Sequence, residues 1–244
     1  PSEYVAAKNY GGRVALKRFL QNEMNYPAKS LSNKIGGTVE LSFVVDDKGK
    51  TSRLSVKKSV NPEIDAEAIR LQKMLLFSPS FFRGNKVTTY STLKIKFSVK
   101  AYKKYCKKRG YSSINLNDTT IDYSNTVYKD NQVDTKPYAV FDDSLETLSR
   151  FIYRNLKYPQ GTLKLNITGT VKLLFVIEPT GRVTNIKVLR GVGGGATNEA
   201  ERILQLINWQ PATLNGKKVR VSKKIEVSFN LANGSDFKYV PSQW

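Results

Sequence analysis

The 244-residue sequence has room for one large domain or two small ones, and its 40% hydrophobic and 25% charged residues are ordinary for a globular protein. The absence of histidine and a single cysteine, Cys106, exclude Ser-His-Asp and Cys-His nucleophiles, most zinc sites and any internal disulfide. The net charge of +20 favours anionic partners or a solvated lysine face, and no apolar run approaches the roughly 18 residues that a bilayer span needs.

The sequence starts at Pro1 with no Met and no signal-peptide pattern, so a mature or trimmed fragment is expected, with any membrane anchor upstream. Leu16, Phe19, Leu20 and Met24 recur at helical spacing. Tyr26-Pro27 stops that helix, because proline disfavours the α region for the residue before it. Val39, Leu41, Phe43 and Val45 then alternate with a period of two, which predicts a strand with one face buried. Asp46-Asp47-Lys48-Gly49 offers a turn, and Leu54 and Val56 face inward on a second strand, completing a hairpin. Asn61-Pro62 supplies an N-cap and a first-turn proline to a helix carrying Ile64, Ala68, Leu71 and Leu75, expected to end by Pro79. A last strand runs through Leu93, Ile95, Phe97 and Val99.

Residues 100–136 lie outside this pattern. Lys100 to Arg109 carries six positive charges and no negative one, and the chain then turns acidic at Asp118, Asp122, Asp130 and Asp134. This reads as a basic, then polar linker, ordered in part through its tyrosines. Its Lys/Tyr alternation also occurs in single-strand nucleic-acid binders, but a basic linker after an edge strand is the favoured reading, and nucleic acid is not expected as a partner.

From Leu148 the first pattern returns. Tyr158-Pro159 follows Leu148, Phe151, Ile152 and Leu156; Val171, Leu173, Phe175 and Ile177 alternate; Glu178-Pro179-Thr180-Gly181 makes the turn; Ile186 and Val188 face inward. Ala200, Ile203 and Ile207 precede Pro211, and Ile225, Val227, Phe229 and Leu231 close the unit. A shift of 132 residues aligns Leu16–Phe97 with Leu148–Phe229 without a gap, and 24 of the 82 positions are identical. Unrelated sequences would share about five, so the chain is an internal duplication. The expected fold class is α+β: two tandem αββαβ domains, each a small three-stranded antiparallel sheet packed by helices. The expected boundaries are 1–99 for the first domain, 100–136 for the linker and 137–244 for the second domain.

The landmarks resemble the TonB C-terminal domain, in the form found in Bacteroidetes-type energy transducers. The first copy carries Tyr26-Pro27, Gly37 to Val45, Asp47 to Gly49, Ile64-Asp65-Ala66-Glu67-Ala68, Phe77-Ser78-Pro79, Gly84, Val87 and Phe97. The second carries Tyr158-Pro159, Gly169 to Ile177, Gly181, Glu199-Ala200, Trp209-Gln210-Pro211, Gly216-Lys217-Lys218-Val219 and Phe229. Gly11-Gly12 stands where that form often has a glycine pair, and Leu189 to Gly195 resembles its loop. The chain departs from the family in Gly84-Asn85-Lys86-Val87, in Phe77 for the usual tryptophan, and in its duplication.

The resemblance implies a periplasmic protein-interaction module, tethered to the inner membrane in the full-length protein and acting in energy-coupled transport. It implies that the last strand of a copy pairs with a segment of an outer-membrane transporter or other envelope protein by β-strand addition. The matching strands are Thr88–Val99 and Arg220–Leu231, and the candidate edge is Arg220, Val221, Ser222, Lys223, Lys224 and Ile225. Lys217, Lys218, Arg220, Lys223 and Lys224 there serve either recognition or protection against unwanted pairing. Two alternatives stay open: the extracytoplasmic sensor or scaffold region of a larger membrane protein, as in β-lactam-sensor metallopeptidases, and an envelope anchor bound to peptidoglycan. No enzyme activity, catalytic residue, cofactor or metal is expected. Asp46-Asp47 belongs to a turn, and Gly193-Gly194-Gly195 lacks the Lys-Ser/Thr of a phosphate-binding loop.

Overall fold

A computed structural model of the chain describes residues 3–230. The chain divides into two compact units, Pro1–Asn117 and Asp118–Trp244.

In the first unit, the short strands β1 (Tyr4–Val5) and β2 (Lys8–Asn9) lead into helix α1 (Gly12–Glu23) and a one-turn helix α2 (Ala28–Ser32). Strands β3 (Gly37–Val45) and β4 (Thr51–Lys58) form the expected hairpin, and α3 (Pro62–Met74) follows. Asn61 caps α3 by accepting a hydrogen bond from the Ile64 amide at 2.9 Å, with Pro62 in the first turn. The helix ends at Met74, before Pro79, because the chain extends to pair β5 (Phe77–Ser78) with β2. The strands β6 (Ser80–Phe82), β7 (Asn85–Val87) and β8 (Thr89–Phe97) complete the unit's sheets. The main sheet has the order β4-β3-β8, all antiparallel. One face is the core: Val39, Leu41, Phe43, Val45, Ile95 and Phe97 pack against Phe19, Ile64, Ala68 and Leu71 of α1 and α3.

The basic stretch expected as linker is, over Val99–Arg109, helix α4. Ser98 caps its start and Gly110, at φ 81°, ends it. Arg109 explains why it folds there. Its guanidinium donates to the carbonyls of Gln21, Asn22 and Met24 at the end of α1, and it stacks on Tyr102 and Tyr111. These carbonyls have no intrahelical donor, so the arginine satisfies groups the helix end leaves open.

In the second unit the chain enters through β9 (Val127–Tyr128), a 3-10 turn at Asp130–Gln132 and β10 (Tyr138–Val140). It continues through α5 (Leu148–Asn155), α6 (Gln160–Lys164), β11 (Gly169–Ile177), β12 (Val183–Arg190), α7 (Ala196–Leu204), β13 (Asn208–Gln210), β14 (Ala212–Leu214) and β15 (Lys217–Phe229). Its core repeats that of the first unit, with Val171, Leu173, Phe175, Ile177, Val227 and Phe229 packed against Ile152, Ala200 and Ile203. Leu231, expected to end the last strand, lies outside the described residues.

The second sheet differs from the expected three antiparallel strands. Its order is β12-β11-β15-β14, and β9 adds to β15 in parallel. In the first unit the chain breaks between β7 and β8 at Thr88, whereas in the second the equivalent stretch runs unbroken through Arg220 as β15.

The hairpin turns show why glycine is needed at one position. Gly49 and Gly181 take φ 85° and 77°, and a Cβ on either would collide with the carbonyl oxygen of Phe77 or Trp209.

Candidate functional site

The same two devices recur in each repeat, one at the last strand and one between the two long helices. The first is aromatic. Tyr26 lies edge-on to Phe97 at 5.7 Å and 78°, and Tyr158 lies edge-on to Phe229 at 5.6 Å and 73°. The Tyr-Pro corner thus packs directly under the end of the final strand. The second is a charged latch that the sequence reading missed. Glu67 accepts the Asn25 amide at 2.7 Å and pairs with Arg70, whose guanidinium donates to the Glu23 carbonyl. Glu199 accepts the Lys157 amide at 2.6 Å and pairs with Arg202, which donates to the Asn155 carbonyl. Both latches tie the exit of the first long helix to the second. A signal existed: both residues recur at the 132-residue shift, and their spacing of three is that of helical neighbours.

The two carboxylates sit in different balances. Burial pushes the Glu67 carboxyl up, against the opposing pull of Arg70 and the Asn25 amide. At Glu199 burial also pushes up, but the hydrogen bonds from Arg202 and Lys157 outweigh it and hold the carboxyl below its ordinary range.

The edges of the two sheets diverge. In the first repeat, β8 pairs with β3 in unbroken register over nine positions, from Gly37–Phe97 to Val45–Thr89. Its other edge carries no strand among the described residues. Tyr90 is 77% exposed on its outer face, alongside exposed Thr92, Lys94 and Lys96. Glu40 on β3 lies between Lys94 and Lys57, at 3.5 and 3.4 Å. The opposite margin of the sheet, β4, is a poorer template. Its register with β3 shifts twice, and Arg53 takes φ 51° within an exposed, lysine-rich strand. Bulges and charges of this kind blunt an edge against further pairing.

In the second repeat the edge singled out from the sequence is partly filled by its own chain. Arg220 and Val221 pair in parallel with Val127 and Tyr128. The Ser222 hydroxyl donates to the Tyr128 carbonyl at 3.2 Å, and Lys223 donates to Asp130 at 2.7 Å. Lys224 and Ile225 pair with Leu174 and Leu173 of β11 on the other side. Of the six side chains, Arg220, Val221 and Ile225 are buried, Ser222 and Lys223 are half-buried, and Lys224 alone is exposed.

Arg220 is not a solvated edge charge. It forms a paired contact with Glu178 at 2.8 and 2.9 Å, with both side chains at most 3% exposed, and it donates to the Asn125 carbonyl at 3.0 Å. Thr184 also donates to Glu178, and Asn185 donates to the Thr184 hydroxyl. The first repeat has Thr88 and Asp46 where the second has Arg220 and Glu178, so it cannot form this pair.

Among the described residues there is no group of three or more His, Cys, Asp or Glu side chains that could hold a metal, and no helix long and apolar enough to cross a membrane.

No curated protein matches the chain. The family model for the Gram-negative bacterial TonB protein C-terminal matches it twice, over residues 22–99 and 154–231. The two matches are displaced by the same 132 residues as the internal repeat and together cover more than half of the sequence. Each runs from the end of the first long helix, through the Tyr-Pro corner and the hairpin, to the final strand. TonB C-terminal domains are periplasmic protein-interaction domains without catalytic activity, and this chain, with two of them in tandem, belongs to that family.

Proposed function

We propose that the chain binds an extended segment of an outer-membrane transporter, or of another envelope protein, by strand addition, as part of energy-coupled transport across the envelope. The observation that carries this reading is β8. It is a nine-residue, unbulged strand paired on one side, with its inner face locked in the core and its outer face exposed. An incoming strand would find a straight ladder of backbone groups for affinity, and Tyr90, Thr92, Lys94 and Lys96 for selectivity. The lysines favour a segment that carries carboxylates. On β15, the stretch Arg220–Ile225 is a second edge of the same kind, with its first two positions engaged by β9.

The test is a titration of isotope-labelled chain with peptides tiled over the periplasm-facing N-terminal segments of outer-membrane transporters. The expected result is a set of backbone amide shifts centred on Thr89–Phe97. Binding that leaves those amides unmoved would refute strand addition at β8.

A further inference from the structure

The segment leading into the second repeat does on β15 what an added strand would do on β8. Thr120 and Asp122 exchange backbone hydrogen bonds with Lys218: the Lys218 amide donates to the Thr120 carbonyl at 2.7 Å, and the Asp122 amide donates to the Lys218 carbonyl at 2.9 Å. Ile121 therefore bridges Lys218 in parallel, and the run continues as β9 against Arg220 and Val221. The chain thus tracks β15 in one direction from Lys218 to Val221. Tyr128 and Val133 pack onto a small separate core of Ala212, Val219 and Val221, and Asp130 closes on Lys223.

Two residues peculiar to the second repeat make the grip. Arg220 reaches the Asn125 carbonyl while clamped by Glu178, and Lys223 holds Asp130. Thr88 and Ser91 stand at those positions in the first repeat, and neither carries the charge that an ion pair needs. A two-residue strand is ordinarily too short to hold alone, but here it adds to a backbone carbonyl captured by a buried guanidinium and to an ion pair at its far end.

We propose that residues 118–132 are an internal ligand of the second repeat, filling the start of the β15 edge at Lys218–Val221, whose counterpart in the first repeat, residues 86–89, takes no such strand among the described residues. The edge of β8 is then receptive along its length, whereas on β15 an outside strand reaches Lys218–Val221 only when the chain's own segment leaves. Covalent attachment gives the internal segment an effective concentration on the order of millimolar, so it excludes weaker strands without a tight intrinsic contact. This rests on strand addition as the binding mode, but it can be tested without knowing the outside partner.

The probe is a synthetic peptide of residues 118–132, added to the full chain. The comparison is with a variant in which residues 120–130 are replaced by a Gly/Ser sequence of equal length. Hydrogen exchange is read at Arg220–Lys223, with the β11 amides Gly169–Ile177 as the control for an intact unit. In the unaltered chain the peptide should bind β15 at least about 100-fold more weakly than in the variant. In the variant, the Arg220–Lys223 amides that point away from β11 should exchange freely, and the added peptide should protect them again. A variant with protected β11 amides that fails to take the peptide would overturn the inference, as would equal binding to both chains. Should β11 lose protection, Asp130→Asn decides the matter. It removes only the half-exposed ion pair with Lys223 and should speed exchange at Val127–Tyr128 and Arg220–Val221 about threefold, with β11 unchanged. No change there would refute the internal-ligand reading. Failure of transporter peptides to shift β8 would leave each of these results standing, because none of them uses an outside partner.

Discussion

The two repeats share a core almost position for position and part company at the edge of the sheet. Phe43 meets Phe77 at 5.1 Å where Phe175 meets Trp209 at 5.7 Å, and both Glu-Arg latches and both Tyr-Phe edge contacts recur. At the last strand, Thr88 and Ser91 stand where the second repeat has Arg220 and Lys223, and among the described residues only the second repeat holds a further strand at the start of that edge. A duplicated core is therefore a poor guide to duplicated binding. The packed positions of the shared core tolerate little change, whereas at the edge the second repeat carries a buried pair of its own, Arg220 with Glu178, and with it a different strand pairing.

That contrast can be broken most forcefully at Arg220. Arg220→Ala leaves Glu178 buried without its cation and should cost the second unit about 3–5 kcal/mol. Amide exchange should accelerate throughout β11 and stay unchanged in β3. An equal effect on both units, or none, would contradict the asymmetry described above.

The shared latch should behave in the opposite, symmetrical way. Glu67→Ala and Glu199→Ala each remove an acceptor of charged and backbone hydrogen bonds, and each should cost about 2–3 kcal/mol in its own unit only. Unit-resolved denaturation followed by exchange would show two similar losses. A large inequality would mean that one latch is redundant.

A smaller difference lies at the second long helix. Asn61→Ala should destabilise the first unit by about 1 kcal/mol, because it removes the cap on the Ile64 amide. The second unit begins that helix at Gly195 with no side-chain cap, so it offers no counterpart. Thermal unfolding of the first unit should move, and that of the second should not.

Acid should separate the units by the least. The Glu199 carboxyl is held below its ordinary range, so its contribution is present above the unfolded value and lost as pH falls through the lower folded one. The Glu67 carboxyl is raised, so its contribution is present at acid pH and lost as pH rises through the higher folded value. As pH falls from above to below the ordinary carboxylate range, these two groups therefore weaken the second unit relative to the first. Unit-resolved unfolding on either side of that range would measure the gap, and a change of equal size in both units would count against it.

Much of this was legible before any coordinates. The alternation of Val39 to Val45 and of Val171 to Ile177 reflects burial of one face of a strand, which side-chain period alone reports. Asn61-Pro62 announced the start of α3, since a cap is made within one turn. The basic run at Lys100–Arg109 read as linker ordered in part through its tyrosines, and its charges gave no sign of a helix. Its buried Tyr102 and the carbonyl-seeking Arg109 show their purpose only once α1 lies beside them. On β15 the lysines and Arg220 read alike as edge charges, yet one is sealed against Glu178, forty-two residues away.

By itself, the sequence determined that there are two copies, where the core strands and long helices of each fall, and to which family they belong. Those properties rest on local periodicity and on a shift that needs no geometry. Only the tertiary structure decided which edge is open. The contacts that fill β15 join Asn125 to Arg220 and Asp130 to Lys223, more than ninety residues apart, through a two-residue strand set in a polar stretch with no periodicity of its own. Long-range pairing of that kind leaves no trace in local pattern, because it is the partner strand, and not the segment, that makes it a strand.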